Sequence, residues 1–225
     1  MLFFLLLVGL AHAGVAWAGD EAFVTSSNWG GTGLMETPTA RVMKEGQFRV
    51  GVGVIEPYRY YYGALSPFKG VEIDARFTEV ADVYNTGLPS SYGAYKDRTG
   101  GIVYQFVPEM KWFPALALGL NDPLGTRMYG SQYIVANKQI YPFDFSIGFG
   151  NGRYGRKQLS SGGDNSFKAE IFQDPRGWLS DGLFFGGVQF APTKWLTLMA
   201  EYNSIRYDQQ HDPAQPVYFT SPVPS

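Results

Sequence analysis

The chain has 225 residues, with 17 Phe, 15 Tyr, 5 Trp and 28 Gly, and only 17% of its residues are charged. That charged fraction is below the roughly 25% of an ordinary soluble domain. The net charge of −2 provides no basic surface for nucleic acid, and without cysteine these residues form no disulfide, thiolate metal site or cysteine nucleophile. Length and composition together favour one aromatic, glycine-rich β domain.

The first 18 residues have the pattern of a secretory signal peptide. They carry no charged side chain, include an apolar block at 2–8, and end in the small-x-small sequence of a signal-peptidase site at 16–18. A membrane anchor is the alternative, but it requires about 20 apolar residues and this run is interrupted by glycines. We therefore expect export with cleavage after Ala18. Because no cysteine follows that site, we also expect that the protein is not a lipoprotein.

Apolar residues alternate with polar or small residues through most of the remaining chain. The clearest stretches are 47–54, 71–78, 115–121, 143–150 and 196–203, and weaker ones are 58–65, 101–107, 131–138, 167–172 and 183–190. A period of two residues is what a strand with one apolar face requires. No stretch of similar length shows a convincing helical period. The chain is predicted to be nearly all β.

Two all-β architectures fit this pattern. A soluble sandwich has strands of about 5 to 6 residues with apolar faces inward, whereas a transmembrane barrel has strands of about 9 to 11 residues with apolar faces outward. The clear stretches run near ten residues. Aromatic residues also gather near strand ends, as in an aromatic girdle, at 58–62, 111–113, 141–143, Trp178 and Trp195. We predict an antiparallel transmembrane β-barrel, or part of a larger barrel, of about 8–10 strands.

These patterns divide the chain into four parts. A signal peptide covers 1–18, an N-terminal extended or turn segment covers 19–46, and the barrel strands cover 47–206. The last part, 207–225, is an irregular tail rich in proline. Charged residues on the second face of the strands are expected to face the lumen and to hydrogen-bond hydroxyl-rich polymer. This polar row consists of Arg49, Glu72, Asp74, Arg76, Asp144 and Glu201.

Motifs for enzyme chemistry are weak. Residues 150–155 match G-x-G-x-x-G, but no predicted helix follows to bind a pyrophosphate, so a glycine-rich loop is the better interpretation. Glu72 and Asp74 share a strand face at a spacing that suits an inverting glycosidase, although Arg76 continues the same row. The two histidines lie in the predicted signal peptide and tail. We expect no catalytic residue, no cofactor and no metal site.

Three pairs of segments resemble a known family. They are 29–40 with 43–48, 114–122 with 133–138, and 184–190 with 196–203. The first contains the glycine-rich turn GLMETPTA at 33–40, which leads into the first strand. In this order they resemble the YjbH-like, or GfcD-like, outer-membrane proteins of exopolysaccharide and capsule biosynthesis. Members of that family are longer, so the resemblance places this chain at the N-terminal portion of a longer member.

The resemblance implies a non-catalytic outer-membrane β-barrel that assists exopolysaccharide assembly or export in a Gram-negative bacterium. The implied partners are outer-membrane lipid, exopolysaccharide and other export or assembly proteins, and nucleic acid is not among them. Three alternatives stay open from the residues themselves. They are a soluble periplasmic sandwich that binds carbohydrate or a partner protein, a polysaccharide-processing enzyme that uses Glu72 and Asp74, and a small porin.

Overall fold

The computed structural model describes residues 23–55, 58–84, 94–124, 127–159, 167–193 and 195–205. The predicted signal peptide and the predicted tail lie outside these residues. The described strands are β1 (Phe48–Ile55), β2 (Tyr58–Phe68), β3 (Val71–Tyr84), β4 (Ala94–Val107), β5 (Ala115–Asn121), β6 (Ser131–Ile140), β7 (Phe143–Gly150), β8 (Leu183–Thr193) and β9 (Leu196–Tyr202).

All nine described strands form one antiparallel sheet in the order of the sequence. Each strand pairs with its neighbour in the chain, so every connection joins adjacent strands. The prediction of an all-β antiparallel sheet is confirmed. The sheet is not closed into a barrel, because the described residues contain no ladder between β1 and β9. Both outer strands therefore have a free edge within the described part of the chain.

The two faces of the sheet follow the alternation in the sequence. Val50 and Val52 of β1 are 78% and 72% exposed, and Ile147 of β7 is 61% exposed. On the opposite face Glu72 and Gln189 are fully buried. Since successive side chains of a strand point to opposite faces, one face is apolar and exposed while the other is polar and covered. We call them the apolar face and the polar face.

The ends of the sheet differ in their connections. Residues 69–70, 108–114, 141–142 and 194–195 join strands at one end, which we call the turn rim, and 56–57, 85–93, 122–130 and 151–182 join them at the other, the loop rim. Trp112, Tyr141 and Trp195 are strongly exposed at the turn rim. The predicted aromatic positions 112, 141 and 195 are thus gathered at one end of the sheet.

Cross-strand pairs of glycine and an aromatic residue shape the polar face. Gly51 pairs with Tyr62, Gly119 with Tyr133 and Gly148 with Phe185. In each pair the ring lies over the glycine, and a Cβ atom there would overlap the ring. The glycines therefore let these side chains lie flat against the sheet and leave room above it.

Short helices occupy the loop rim, in contrast to the predicted strand at 167–172. α1 (Glu170–Gln173) and α2 (Pro175–Asp181) follow each other there, and a 3-10 helix covers Gly152–Tyr154. The strand prediction was wrong because residues 170–172 belong to α1, and alternation over six residues is too short a signal to distinguish a strand from one helical turn. Within the described residues, no helix has the length and apolar character needed to cross a membrane.

Trp178 is not part of an aromatic girdle. It lies on α2 at the loop rim, where it is buried and packs edge-on against Phe149 at 5.2 Å between ring centroids. Its indole N–H donates to the carbonyl of Gln132 at 3.0 Å. The sequence interpretation failed here because an indole ring fits a buried helix contact as well as an interface, provided that its N–H finds an acceptor.

Candidate functional site on the polar face

Residues 23–46, the N-terminal segment, cover the polar face of the sheet. The segment contains no strand; isolated bridges between Ser26 and Thr32 and between Gly33 and Pro38 fold it into tight turns. Leu34 and Thr37 of the segment are almost completely buried. Since the segment has few backbone partners of its own, many of its N–H groups donate to side chains of the strands.

Glu72 of β3 is the first anchor of the segment. Its carboxylate accepts from Thr32 N at 2.5 Å, from Thr32 Oγ1 at 2.7 Å and from Met43 N at 2.9 Å. Arg49 of β1 donates to Thr32 Oγ1 and lies 3.7 Å from Glu72 Oε2. These donors satisfy both carboxylate oxygens of the buried side chain, so Glu72 fixes the segment on β3.

Asp144 of β7 is the second anchor. Arg41 of the segment makes a two-pronged contact with it, at 3.1 Å from Nε and 2.6 Å from Nη2, and Asn137 donates to the same carboxylate. Arg41 also reaches Glu109 at the turn rim, at 2.6 Å. Burial opposes ionisation of Glu109, but hydrogen bonds from Lys138 and Arg41 outweigh it and hold the pKa of Glu109 below its usual range.

Glu201 of β9 is the third anchor. Its carboxylate lies 3.1 Å from the backbone nitrogens of Glu36 and Thr37 and from Thr37 Oγ1. The segment is thus held by carboxylates on β3, β7 and β9. Removal of the segment would leave three acidic side chains of the polar face without these donors.

The N-terminal segment links distant strands across the polar face. Thr32 contacts Glu72 of β3, and the next residue, Gly33, accepts a hydrogen bond from Thr25 Oγ1. Thr25 Oγ1 lies 3.3 Å from Gln189 Oε1 of β8. Since β3 and β8 are five positions apart in the sheet, the segment spans most of its polar face.

A cluster of arginine and aromatic side chains lies where the segment meets the loop rim. The guanidinium carbons of Arg76 and Arg153 are 3.4 Å and 3.6 Å from the ring centroid of Trp29. Tyr129 packs edge-on against Trp29, and Arg76 also lies 4.6 Å from its ring. Glu36 accepts from the Trp29 indole at 3.1 Å and from Arg153. We call Trp29, Arg76, Tyr129 and Arg153 the Arg–Trp cluster.

The structure distributes the six residues of the predicted polar row among these contacts. Arg49 and Glu72, Asp144, and Glu201 hold the N-terminal segment, and Arg76 belongs to the Arg–Trp cluster. Asp74 lies beside the segment, close to Gly31. All six lie on the polar face. Glu72 and Glu201 accept from backbone N–H groups of the segment, whereas Asp144, Arg49 and Arg76 contact side chains, and the alternation of the strands does not reveal these partners.

Several residues of the site escaped sequence analysis. Trp29, Glu36 and Arg41 lie in a segment without any period, and Arg153 lies inside the G-x-G-x-x-G sequence. The sequence signal for the first three was that they interrupt a stretch of mostly small residues at 26–41. In the structure, Gly152 has φ of +61° and its neighbours form only a three-residue 3-10 helix. These glycines serve close packing, since a Cβ at Gly155 would lie 2.6 Å from the carbonyl of Asp181.

The described residues offer little for catalysis at Glu72 and Asp74. Both carboxylate oxygens of Glu72 accept hydrogen bonds from the N-terminal segment, and its side chain is fully buried. A general acid or base must reach a substrate proton, which this arrangement prevents. No group of three or more acidic, histidine or cysteine side chains suited to a metal occurs among the described residues.

Comparison with known proteins decides the family. The family model described as "Exopolysaccharide biosynthesis protein YbjH" matches residues 25–223. The chain belongs to the YjbH family. The match includes residues 25–46 of the N-terminal segment as well as all nine described strands. The resemblance seen in the sequence is therefore confirmed.

A relative from Escherichia coli (strain K12), named "Uncharacterized lipoprotein YjbH", is 31% identical over 206 residues. The match covers 82% of this chain and 29% of the relative, so the chain spans less than a third of that protein. Neither this name nor the family description states a catalytic activity. No solved structure matches the chain significantly.

The name of this relative contradicts the expectation that the protein is not a lipoprotein. That expectation rested on the absence of cysteine, the residue that carries the acyl chains of a bacterial lipoprotein. These 225 residues contain no cysteine, but that fact does not determine how a YjbH protein is anchored. The inference from composition to localisation was therefore wrong.

Proposed function

We propose that this chain forms part of an outer-membrane β-barrel that assists exopolysaccharide assembly or export without catalysing a reaction. The observation that carries the proposal is the inversion of the sheet: its polar face is buried and its apolar face is exposed. A soluble sandwich buries its apolar faces. Membership of an exopolysaccharide biosynthesis family supplies the biological setting.

The exposed apolar face has the character of a lipid-facing surface. Its side chains come from strands across the whole sheet. They include Phe48, Val50, Val52, Val54, Tyr61, Leu65, Ile73, Ile102, Tyr104, Phe145, Ile147 and Leu198. Soluble monomers rarely expose apolar patches above a few hundred Å². In hydrocarbon the same face is stable, provided that every strand edge is paired. The free edges of β1 and β9 would then pair with each other or with further strands.

The exposed aromatic residues of the turn rim support this orientation. Trp112 and Trp195 are 87% and 83% exposed, on separate connections at the same end of the sheet. Amphipathic rings prefer the boundary between hydrocarbon and water. The turn rim is therefore proposed to lie at one membrane interface, and the longer connections of the loop rim at the other.

The filled polar face argues for a supporting role and against a permanently open pore. A barrel of about eight strands has room only for its own side chains. Here the N-terminal segment occupies the same space and binds Glu72, Asp144 and Glu201. We therefore propose that this part of the protein acts as a scaffold within the polysaccharide machinery. The match covers 29% of the Escherichia coli relative, so the scaffold role is proposed for the matched part.

Membrane fractionation tests the proposal. The full chain is expressed with an export signal in a Gram-negative host, and outer-membrane extracts are run unboiled and boiled on SDS gels. A membrane-bound band that shifts on boiling is the expected result, because closed barrels resist SDS until heated. A soluble product whose mobility does not change would reject the membrane barrel and favour a periplasmic sandwich. Polymer yield in a strain lacking the family member tests the biosynthetic role separately.

A further inference from the structure

The Arg–Trp cluster sandwiches one indole between two guanidinium groups. Both Cζ atoms lie within 3.6 Å of the Trp29 ring centroid. Two guanidinium groups at that height on one face would overlap, so Arg76 and Arg153 lie on opposite faces of the ring. Cation–π attraction stabilises each contact. The N–H groups of a guanidinium lie in the plane of the group, so this cation–π contact leaves them available for hydrogen bonds.

Several donors in this cluster have no acceptor. Nε and Nη2 of Arg76, Nε and Nη1 of Arg153, and the hydroxyl of Tyr129 have no hydrogen-bond partner in the described part of the chain. These three residues are only 4%, 6% and 2% exposed. Buried polar groups in native proteins are almost always hydrogen-bonded. This concentration of unused donors within one cluster therefore requires an acceptor.

Among the described residues, one direct ion pair joins the cluster to a carboxylate. Two guanidinium groups are buried here, and the described carboxylate in contact with them is Glu36, which bonds Arg153. Asp122 accepts from Tyr129 N and forms an ion pair with neither arginine among the described residues. A buried charge is costly unless it is paired. Among the described residues Arg76 forms no direct ion pair, and Nε and Nη2 of its guanidinium group have no acceptor.

We propose that the Arg–Trp cluster binds a carboxylate of an acidic sugar within the exported polysaccharide. This inference rests on the proposed function and names the class of polymer. A carboxylate matches the planar fork of Arg76 with two parallel hydrogen bonds, and the Tyr129 hydroxyl donates a third. Tyr58 and Tyr60, whose rings stack 6.4 Å apart, line the neighbouring face of β2 and provide apolar surface for the sugar ring.

Calorimetric titration of the full chain in detergent tests this site. The probes are a trimer of galacturonate and the neutral trimer maltotriose. We expect saturable binding of the acidic trimer that weakens as salt is raised, and at least tenfold weaker binding of the neutral one. Equal affinity for both trimers, or no heat from the acidic trimer, would overturn the proposal without any variant.

Two matched variants locate the site. Arg76→Gln is expected to weaken binding of the acidic trimer at least tenfold. Arg59→Gln removes the same charge from an exposed position of the neighbouring strand and should leave the affinity unchanged. An equal loss in both variants would show that binding follows net charge alone. Arg76→Lys keeps the charge but not the fork, and should still bind several-fold more weakly than the unmodified chain.

The boiling shift on SDS gels and the polymer yield are measured on the same variants. Suppose that Arg76→Gln retains the boiling shift and the polymer yield, and that it binds the acidic trimer as tightly as the unmodified chain does. That result would reject the carboxylate site and leave the proposed function standing. If the unmodified chain shows no boiling shift and no effect on polymer yield, the proposed function itself fails.

Discussion

At the scale of single residues, the polar face uses carboxylates as acceptors for backbone N–H groups. Glu72 and Glu201 accept from residues 40 and 165 positions away in the chain, respectively. Hydrogen bonds to a charged acceptor contribute about 1.5–3 kcal/mol each, and an abandoned buried donor costs a similar amount. These few side chains therefore determine whether the N-terminal segment remains in place.

Glu72→Ala should destabilise the fold by about 3 kcal/mol, because three donors of the N-terminal segment and the Arg49 guanidinium lose their acceptor. Urea unfolding in detergent, followed by tryptophan fluorescence, measures the change. Glu45→Ala is the control, since Glu45 is exposed at the end of the same segment. Its effect should stay within about 0.5 kcal/mol. Equal effects of the two substitutions would show that Glu72 does not anchor the segment.

Asp122 at the loop rim should make stability depend on pH. Burial, reinforced by the neighbouring Asp97, raises the pKa of Asp122 to about 7. Because the folded state favours the protonated acid, its contribution to stability is present at low pH and is lost as the pH rises from about 4 to about 7. Asp122→Asn should therefore gain stability relative to the unmodified chain between pH 5 and pH 8. Unfolding curves across this range measure the gain.

Asp181→Asn provides the comparison for that experiment. Asp181 pairs with Lys157, which is 74% exposed, so its ion pair is screened by solvent. Any offset caused by this substitution should be small and should not grow with pH. A pH-independent difference for Asp122→Asn would reject the assignment of a neutral acid at this position.

At the scale of elements, the N-terminal segment packs against the polar face of the sheet and covers it. Its chain is aperiodic, and its tight turns depend on small residues; Gly30, with φ of +94°, lies against Tyr62. Carboxylates of three strands accept from backbone N–H groups of the segment or from its Arg41 side chain, while Arg49 and Gln105 of the strands donate to it. These hydrogen bonds hold the segment on the polar face, and the apolar face stays exposed.

A disulfide between positions 31 and 74 should fix the segment to β3. A Cβ atom at Gly31 would lie 3.7 Å from Asp74 Cγ, the atom whose place a cysteine sulfur at position 74 would take, so the two side chains would be neighbours. The chain has no other cysteine, so the Gly31→Cys/Asp74→Cys variant gives one product. Oxidation should raise stability by about 4 kcal/mol through the closed loop. Faster migration on non-reducing gels and a higher unfolding midpoint are the measurements.

The Gly46→Cys/Asp74→Cys variant tests specificity, since a Cβ at Gly46 has no atom within 4 Å. It should remain reduced under the same oxidant. If it cross-links as readily as the first pair, the segment does not occupy a defined position on the polar face.

At the scale of the whole molecule, the sheet exposes its apolar face and covers its polar face, and the proposed function assigns the apolar face to lipid. Val52→Lys places a charge at the centre of β1, where Val52 is 72% exposed. In a lipid bilayer this should cost about 2–4 kcal/mol. In water a substitution at so exposed a site should be nearly neutral. Urea unfolding from lipid vesicles and the fraction of boiling-sensitive band distinguish the two cases.

Leu179→Lys is the matched control for the whole-molecule test. Leu179 is 60% exposed and lies on α2, away from the apolar face. It should tolerate the charge in vesicles. A similar loss of stability in both variants would mean that lysine disturbs any exposed apolar site in this protein. The assignment of β1 to a lipid-facing surface would then be rejected.

The strands and their two faces were predictable from the sequence, because alternation is a local consequence of strand geometry. Phe145 and Asp144 face opposite sides for the same reason that their neighbours do. The short strand expected at 167–172 was wrong because Glu170 begins the short helix α1 there. Nothing local predicted that Arg41 would reach Asp144 or that Arg153 would meet Trp29, since those pairs are distant in the chain and lie in aperiodic segments.

The sequence by itself thus determined an all-β antiparallel protein of the YjbH family, with one apolar and one polar face. Tertiary structure decided that the sheet is open between β1 and β9, that the N-terminal segment fills the polar face, and that two arginines share one tryptophan. The physical reason is the range of the interactions. Side-chain alternation is set by neighbouring residues, whereas the acceptors of an aperiodic segment are found only when it packs against the sheet.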